Sequence, residues 1–395
     1  MVRSFVCLSL SLLLIAGARA SGPPAAVFGF FSPEVLLTGQ ELQRLDRGEV
    51  AVKILPAHGG QLAVFTATEI AAEPERVVAW LRAVSDLKRS RVVRASGRFS
   101  DPPVLADLDG LRLDPRDLSA VRACRPGNCA LKLSGQEIES LRRVADTGSA
   151  NEVQQAFRRV VLARVLAYRT SGLAGLELSA GGGGAHQASA VFSALLESST
   201  FLVNHAPLMA GWLQDRARAD GREIESFMYW AKEDYSPGKP VIGVTDVGIA
   251  RATDGATPEV LVAGKQIFAT RYMNGALNLT ALVREPNGGR RYLVHMHRSQ
   301  LDLLTGFFGG LGRAVAQSRL RDRTPSLLRD LRSRMEGGPP PGTAKNSAAR
   351  PENPRFQPLP SPDDAIPPAG DRSRARRLLR TQAVLDGTQT SALPF

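Results

Sequence analysis

The sequence predicts an α+β protein: a curved antiparallel sheet, a C-terminal covering helix, and a helical insertion between the early and late strands. Three patterns carry this reading. Apolar and polar residues alternate with period two through 223–297, interrupted by turn-forming dipeptides. Apolar residues recur at helical spacing through 151–168 and 188–214. A last helical pattern covers 302–335.

The chain of 395 residues opens with Arg3, an apolar run over 5–15, and Ala18-Arg19-Ala20 before Ser21. A basic start, a short apolar stretch and a small-residue A-x-A site form a secretory signal. The run falls short of the roughly 20 residues a membrane span needs. Residues 1–20 are therefore expected to be removed, leaving an exported protein, periplasmic or extracellular. Cys7 lies inside the run, so no lipid anchor is expected.

After a lead at 21–39, the domain is expected over 40–336. Alternation at 50–55 and 61–70 around Gly59-Gly60 reads as a β-hairpin. Glu73-Pro74 opens a helix with Val77, Val78, Trp80, Leu81 and Val84 on one side. A strand follows at 91–99. The insertion, about 101–222, begins with a short helix at Asp114-Pro115. It continues with a capping box, Ser134 and Glu137, and a long helix over 151–168. The helical run over 188–214 must be interrupted at Pro207. Strands are then expected near 223–235, 241–250, 260–273, 277–283 and 292–297. Pro237-Gly238, Asp254-Gly255, Asn274-Gly275 and Asn287-Gly288-Gly289 are the turns between them. Thr324-Pro325 predicts a kink in the last helix. Beyond Gly337 a Pro-rich tail with a basic stretch at 372–385 lacks periodicity and reads as disordered.

Two cysteines remain after cleavage, Cys124 and Cys129, around the turn pair Pro126-Gly127. In an oxidising compartment this predicts a small disulfide loop. No histidine is near enough in sequence to make it a metal site. The net charge of +12 is mostly arginine. In an exported chain it does not read as a nucleic-acid footprint. A basic tail suits an anionic membrane surface instead.

The order of strands, helix, strand, insertion, meander and terminal helix resembles the helix-grip fold of the START-like superfamily. That superfamily includes lipid-transfer, polyketide-cyclase and plant-allergen proteins. The resemblance covers roughly 49–335. The stretch Lys265-Gln266-Ile267-Phe268-Ala269-Thr270-Arg271-Tyr272, the Arg298-Ser299 pair and Asp302 look like a pattern in secreted bacterial proteins of unknown role. The resemblance implies a cavity between sheet and C-terminal helix holding an apolar small molecule or lipid. It implies no cofactor and carries over no catalytic residue.

Alternate strand residues would line such a cavity. The candidates are Tyr229, Trp230, Lys265, Gln266, Thr270, Tyr272, Asn278, His295 and His297. Tyr229 and Trp230 belong to opposite faces of one strand, and the pattern leaves both open. Gln266, Phe268, Thr270 and Tyr272 are expected on one face, as are His295 and His297. Arg298 and Asp302 are spaced as an i,i+4 pair. No nucleophile elbow, zinc-protease motif or phosphate loop occurs. Two other function classes remain: a cyclase- or hydrolase-like enzyme using Tyr229, Lys265 or His295, and an envelope interaction module.

Overall fold

The computed structural model describes residues 25–88, 93–179, 185–214, 223–234, 239–252, 258–304 and 309–337. The expected signal peptide and all but the first residue of the expected tail lie outside them. The Pro237-Gly238 and Asp254-Gly255 turns do as well.

Within 25–35, expected as a lead, Val27, Phe28, Phe30, Phe31 and Val35 belong to the core. Phe28, Phe30 and Phe31 are buried, and the Phe31 ring centroid lies 5.3 Å from that of Phe65 and 5.4 Å from that of Phe201. Three aromatic rings in seven residues bury more apolar surface than a solvated lead tolerates.

Helix α1 (Gly39–Asp46) starts at Thr38 through a reciprocal capping box with Glu41. Strands β1 (Ala51–Ile54) and β2 (Gln61–Glu69) form the predicted hairpin, with Gly59 and Gly60 at positive φ in its turn. Helices α2 (Pro74–Arg82) and α3 (Val84–Leu87) carry the chain across one face to β3 (Val93–Arg98) at the far edge.

The insertion contains α4 (Pro115–Ala123), α5 (Gly135–Thr147), α6 (Ala150–Ser171) and a small hairpin, β4 (Glu177–Ser179) and β5 (Ala185–Gln187). It continues with α7 (Ala188–Glu197), α8 (Thr200–His205) and α9 (Pro207–Gln214). Pro207 falls at the first position of α9, where its missing N–H costs nothing. Cys124 and Cys129 are joined, with sulfurs 2.05 Å apart, across a turn that places Gly127 at φ +75°.

The meander follows as β6 (Glu225–Glu233), β7 (Val241–Arg251), β8 (Val260–Ala269), β9 (Met273–Arg284) and β10 (Arg291–Leu301), ahead of α10 (Gly309–Gly337). The sheet has eight antiparallel strands in the order β1-β2-β10-β9-β8-β7-β6-β3. The first hairpin therefore pairs with the last strand, and α10 leaves from beside it. This is a curved, helix-grip-like α+β architecture.

Helices cover both faces. On the inner face Leu328, Leu331 and Met335 of α10, with α2 and α3, pack on Phe227, Val247, Val262, Leu282 and Leu293. On the outer face the insertion packs on Met228, Trp230, Val244, Ala263, Leu279 and Val294. The insertion thus backs the sheet and leaves the inner face to α10.

Two local expectations are corrected. The β8–β9 turn falls at 270–272, with Tyr272 at φ +64°, and Asn274-Gly275 lies inside β9 at a bulge. Contacts from the insertion fix this turn. The Arg271 guanidinium is clasped by Asp117, and Lys132 N–H donates to Thr270 O at 2.8 Å. Helix α10 continues past Pro325, and Leu328, Leu331 and Met335 carry its buried face beyond it. Arg298 and Asp302 do not pair. Arg298 sits in β10 near Pro56 O and Gln61, while Asp302 meets Lys132 at 2.8 Å.

Candidate functional site in the inner face

Most of the inner face is filled by Val, Leu, Ile and Phe, but its middle is not. Ala231, Gly243, Gly264 and Ala276 are small there, and Tyr229, Thr245, Gln266, Asn278, Thr280, His295 and His297 are polar. Small side chains leave space and polar ones give it hydrogen-bonding character. A cavity of about 20 Å³ remains, bordered by Lys88, Tyr229, Glu233, Gln266, Asn278 and His297. That is room for about one water molecule. The space is small and its lining mixed, with Val241, Met273 and Ala276 beside the polar groups.

The groups around it are strongly coupled. His297 Nδ1 lies 2.6 Å from Asn278 Oδ1, and His295 Nδ1 lies 3.1 Å from Thr280 Oγ1. Since Asn278 Oδ1 only accepts, His297 carries its proton on Nδ1 and Nε2 is left as an acceptor. Burial, reinforced by the charges of His295 and Lys88, pushes the His297 pKa down to about 3. Lys88, at the end of α3, forms a buried ion pair with Glu233, and its Nζ stands 5.2 Å from the Tyr229 ring centroid. Burial works against the Lys88 charge, but Glu233 and then Tyr229 outweigh it and hold the pKa above the usual lysine range. Burial raises the Tyr229 pKa, so the phenol keeps its proton. One atom stands apart: Gln266 Oε1 is buried with no hydrogen-bond partner.

Tyr229, Gln266, Asn278 and His297 are thus brought together, with His295 two residues along the same face. The other four candidates are elsewhere. Trp230 faces outward, donating from Nε1 to Asp107 O at 2.9 Å. Lys265 also faces outward, with Nζ donating to Leu213 O at 2.8 Å among the rings of Tyr168, Phe192 and Trp212. That cage ties α6, α7 and α9 to the sheet through a buried ammonium. Thr270 and Tyr272 belong to the β8–β9 turn, where Thr270 Oγ1 accepts from Ile242 N–H.

Gln266 and Phe268 part company because the β7–β8 register shifts between Val244 and Thr245. The extra residue in β8 turns Phe268 outward with Ile267. With Lys265 on the opposite face, Tyr229, Lys265 and His295 form no common acid–base site.

Sequence reasoning missed Lys88, Glu233 and Thr245. Glu233 was accessible from Tyr229 and Ala231, two and four residues before it on one strand face. Lys88 gave no signal, since it follows a four-residue helix in a basic stretch.

No protein-family model matches the chain. No curated protein matches it either. Among solved structures, the di-domain ARO/CYC BexL from the BE-7585A biosynthetic pathway is similar at 11% identity and a TM-score of 0.20, over 81% of this chain and 97% of that one. A likeness of that size carries no argument about function, which rests on the residues of the inner face.

Proposed function

We propose that this chain is an exported START-like binding protein that takes a small polar molecule on the inner face of its sheet. Tyr229, Gln266, Asn278 and His297 would supply the hydrogen bonds. The observation that supports this most is the unpartnered, buried Gln266 Oε1 at a cavity whose other polar groups are partly paired among themselves. Leaving such an acceptor unmade costs about 1–3 kcal/mol. A ligand N–H or O–H taking the place of the one water this space admits would donate to Gln266 Oε1.

Size argues for a small ligand. Drug-sized and lipid-sized molecules occupy pockets of roughly 300–1,000 Å³, far above the space present. In this proposal the apolar small molecule or lipid that the resemblance implies gives way to a compact polar molecule. Export is supported by the Ala18-Arg19-Ala20 site and the Cys124–Cys129 bond.

Thermal-shift screening of small polar compounds, followed by native mass spectrometry of protein recovered from the exported fraction, tests the reading. The expected result is a stabilising compound whose effect disappears in Gln266→Leu. A co-purifying long-chain lipid, or a compound that stabilises Gln266→Leu equally, overturns it. The same mass spectra should show a mature chain beginning at Ser21.

A further inference from the structure

Arg298 of β10 lies on the outer face, cross-strand from Ala63 of β2 and Leu277 of β9, and is 2% exposed. Its Nη1 donates two long bonds to neutral acceptors, Pro56 O at 3.3 Å and Gln61 Oε1 at 3.4 Å. Nε is buried without a partner, and Nη2 makes no hydrogen bond among the described residues. The acceptors around Gln61 are already in use. Ala194 O in α7 takes Gln61 Nε2 at 3.2 Å and Ser198 Oγ at 3.0 Å, and Gln61 Oε1 also takes Ser198 Oγ at 3.4 Å. Glu34 supplies the charge that acts on Arg298, yet the two form no ion pair among the described contacts. Its Oε1 is engaged at the start of α8, accepting from Thr200 Oγ1 and from Phe201 N–H at 3.3 Å. Its Oε2 is buried without a partner. Burial pushes the Arg298 pKa down to about 10, so the guanidinium stays charged at neutral pH.

We propose that this place binds a small α-amino acid, whose carboxylate takes Arg298 Nε and Nη2 and whose ammonium donates to Glu34 Oε2. With Nη1 engaged, the edge left open on the guanidinium is the side-on pair of parallel N–H donors, which a carboxylate accepts bidentately. A buried cation without an ion pair is what such a carboxylate compensates. The second unmade atom, Glu34 Oε2, has the opposite need, a donor, and carries the opposite sign. A simple anion would satisfy Arg298 but leave Oε2 unmade and stand beside a second negative charge. A simple amine would do the reverse. Water would bring no charge to either group. An α-amino acid carries both ends on adjacent atoms. The low exposure of Arg298 restricts it to a short side chain, and Pro56 and Glu34, which are not buried, mark the side open to entry. This site lies on the other face of the sheet from Gln266 and stands or falls separately from the inner-face reading.

Calorimetric titration of the full mature chain with glycine, L-alanine and L-serine, and with acetate and methylammonium as one-ended controls, tests it. At least one amino acid should bind about tenfold or more tightly than either control, the ratio expected of one charge-assisted hydrogen bond. Arg298→Lys keeps the charge but loses the fork, and should weaken amino-acid binding by about tenfold or more. Glu34→Gln should remove the preference for the amino acid over acetate. Gln266→Leu should leave the affinity unchanged, which separates this site from the inner one. No binding by any of the three amino acids, acetate binding as tightly as they do, or wild-type affinity in Arg298→Lys overturns the proposal. So does loss of binding in Gln266→Leu, or a crystal structure in saturating glycine that holds only water at Nε and Nη2. Near-ultraviolet circular dichroism checks that the variants fold, and Glu34→Gln carries the test alone if Arg298→Lys does not.

Discussion

His297 Nδ1 and Asn278 Oδ1 are 2.6 Å apart across β9 and β10, and this contact fixes the tautomer of the histidine while burial keeps it neutral. The folded imidazole titrates near 3, against an ordinary value of 6.5. Between those values the unfolded chain binds a proton that the folded chain refuses. Stability therefore falls as pH drops from about 6.5 towards 3, by at most about 1.4 kcal/mol per unit from this group. Urea unfolding of wild type and His297→Gln across that range should show a shallower pH slope in the variant. Identical slopes would mean that the buried imidazole is not the group responsible. Nitrogen NMR should find the proton on Nδ1.

The Lys88–Glu233 pair is 4% and 9% exposed at its side chains. Removing one partner leaves a buried charge without its counter-ion, which costs about 3–5 kcal/mol. Lys88→Met should lose that much in chemical denaturation. Lys88→Met combined with Glu233→Leu should recover most of it. Additive losses in the double variant would refute the pairing.

Gly97 in β3 lies under the Trp230 indole, and an added Cβ would stand 2.7 Å from Nε1. The ring cannot retreat without giving up its bond to Asp107 O. Gly97→Ala should destabilise by about 1–3 kcal/mol through overpacking, read as a shift in urea midpoint. A neutral result would show that β3 is more loosely held than these contacts require.

Opening the Cys124–Cys129 loop should cost about 2 kcal/mol, the chain-entropy value for so short a loop. The paired Cys→Ser variant should unfold at lower denaturant than the oxidised wild type, and added reductant should affect only the wild type. A wild type indifferent to reductant would place the bond outside the cooperative unit.

How much of this was legible in the sequence depended on how local the causes were. The β1–β2 hairpin, the Ser134–Glu137 cap and the helix start at Pro207 follow from residues within a few positions of each other. Period-two alternation located all five late strands and put His295 and His297 on one face. The errors came from distant contacts. Asp117 and Lys132, far back in the insertion, hold the β8–β9 turn at 270–272 against the stronger local signal of Asn274-Gly275. The bulge opposite Thr245 reversed the phase of β8, so Gln266 faces the cavity and Phe268 does not. Lys88 and Glu233, 145 residues apart, meet only once the chain has crossed the sheet. An alternation pattern reports which side of a strand is which, but not which side becomes the site.

The sign of one stability change bears most directly on the reading of the inner face as a binding site. Gln266→Leu replaces an unpaired buried acceptor with an aliphatic group of similar bulk. Were the glutamine kept for a ligand, the ligand-free variant should be more stable than wild type, by about 0.5–2 kcal/mol, as sites held for function usually are when replaced. Equilibrium urea unfolding of the two proteins, with no ligand added, gives the answer. A variant less stable by 1 kcal/mol or more would make Gln266 an ordinary structural residue and contradict the proposal.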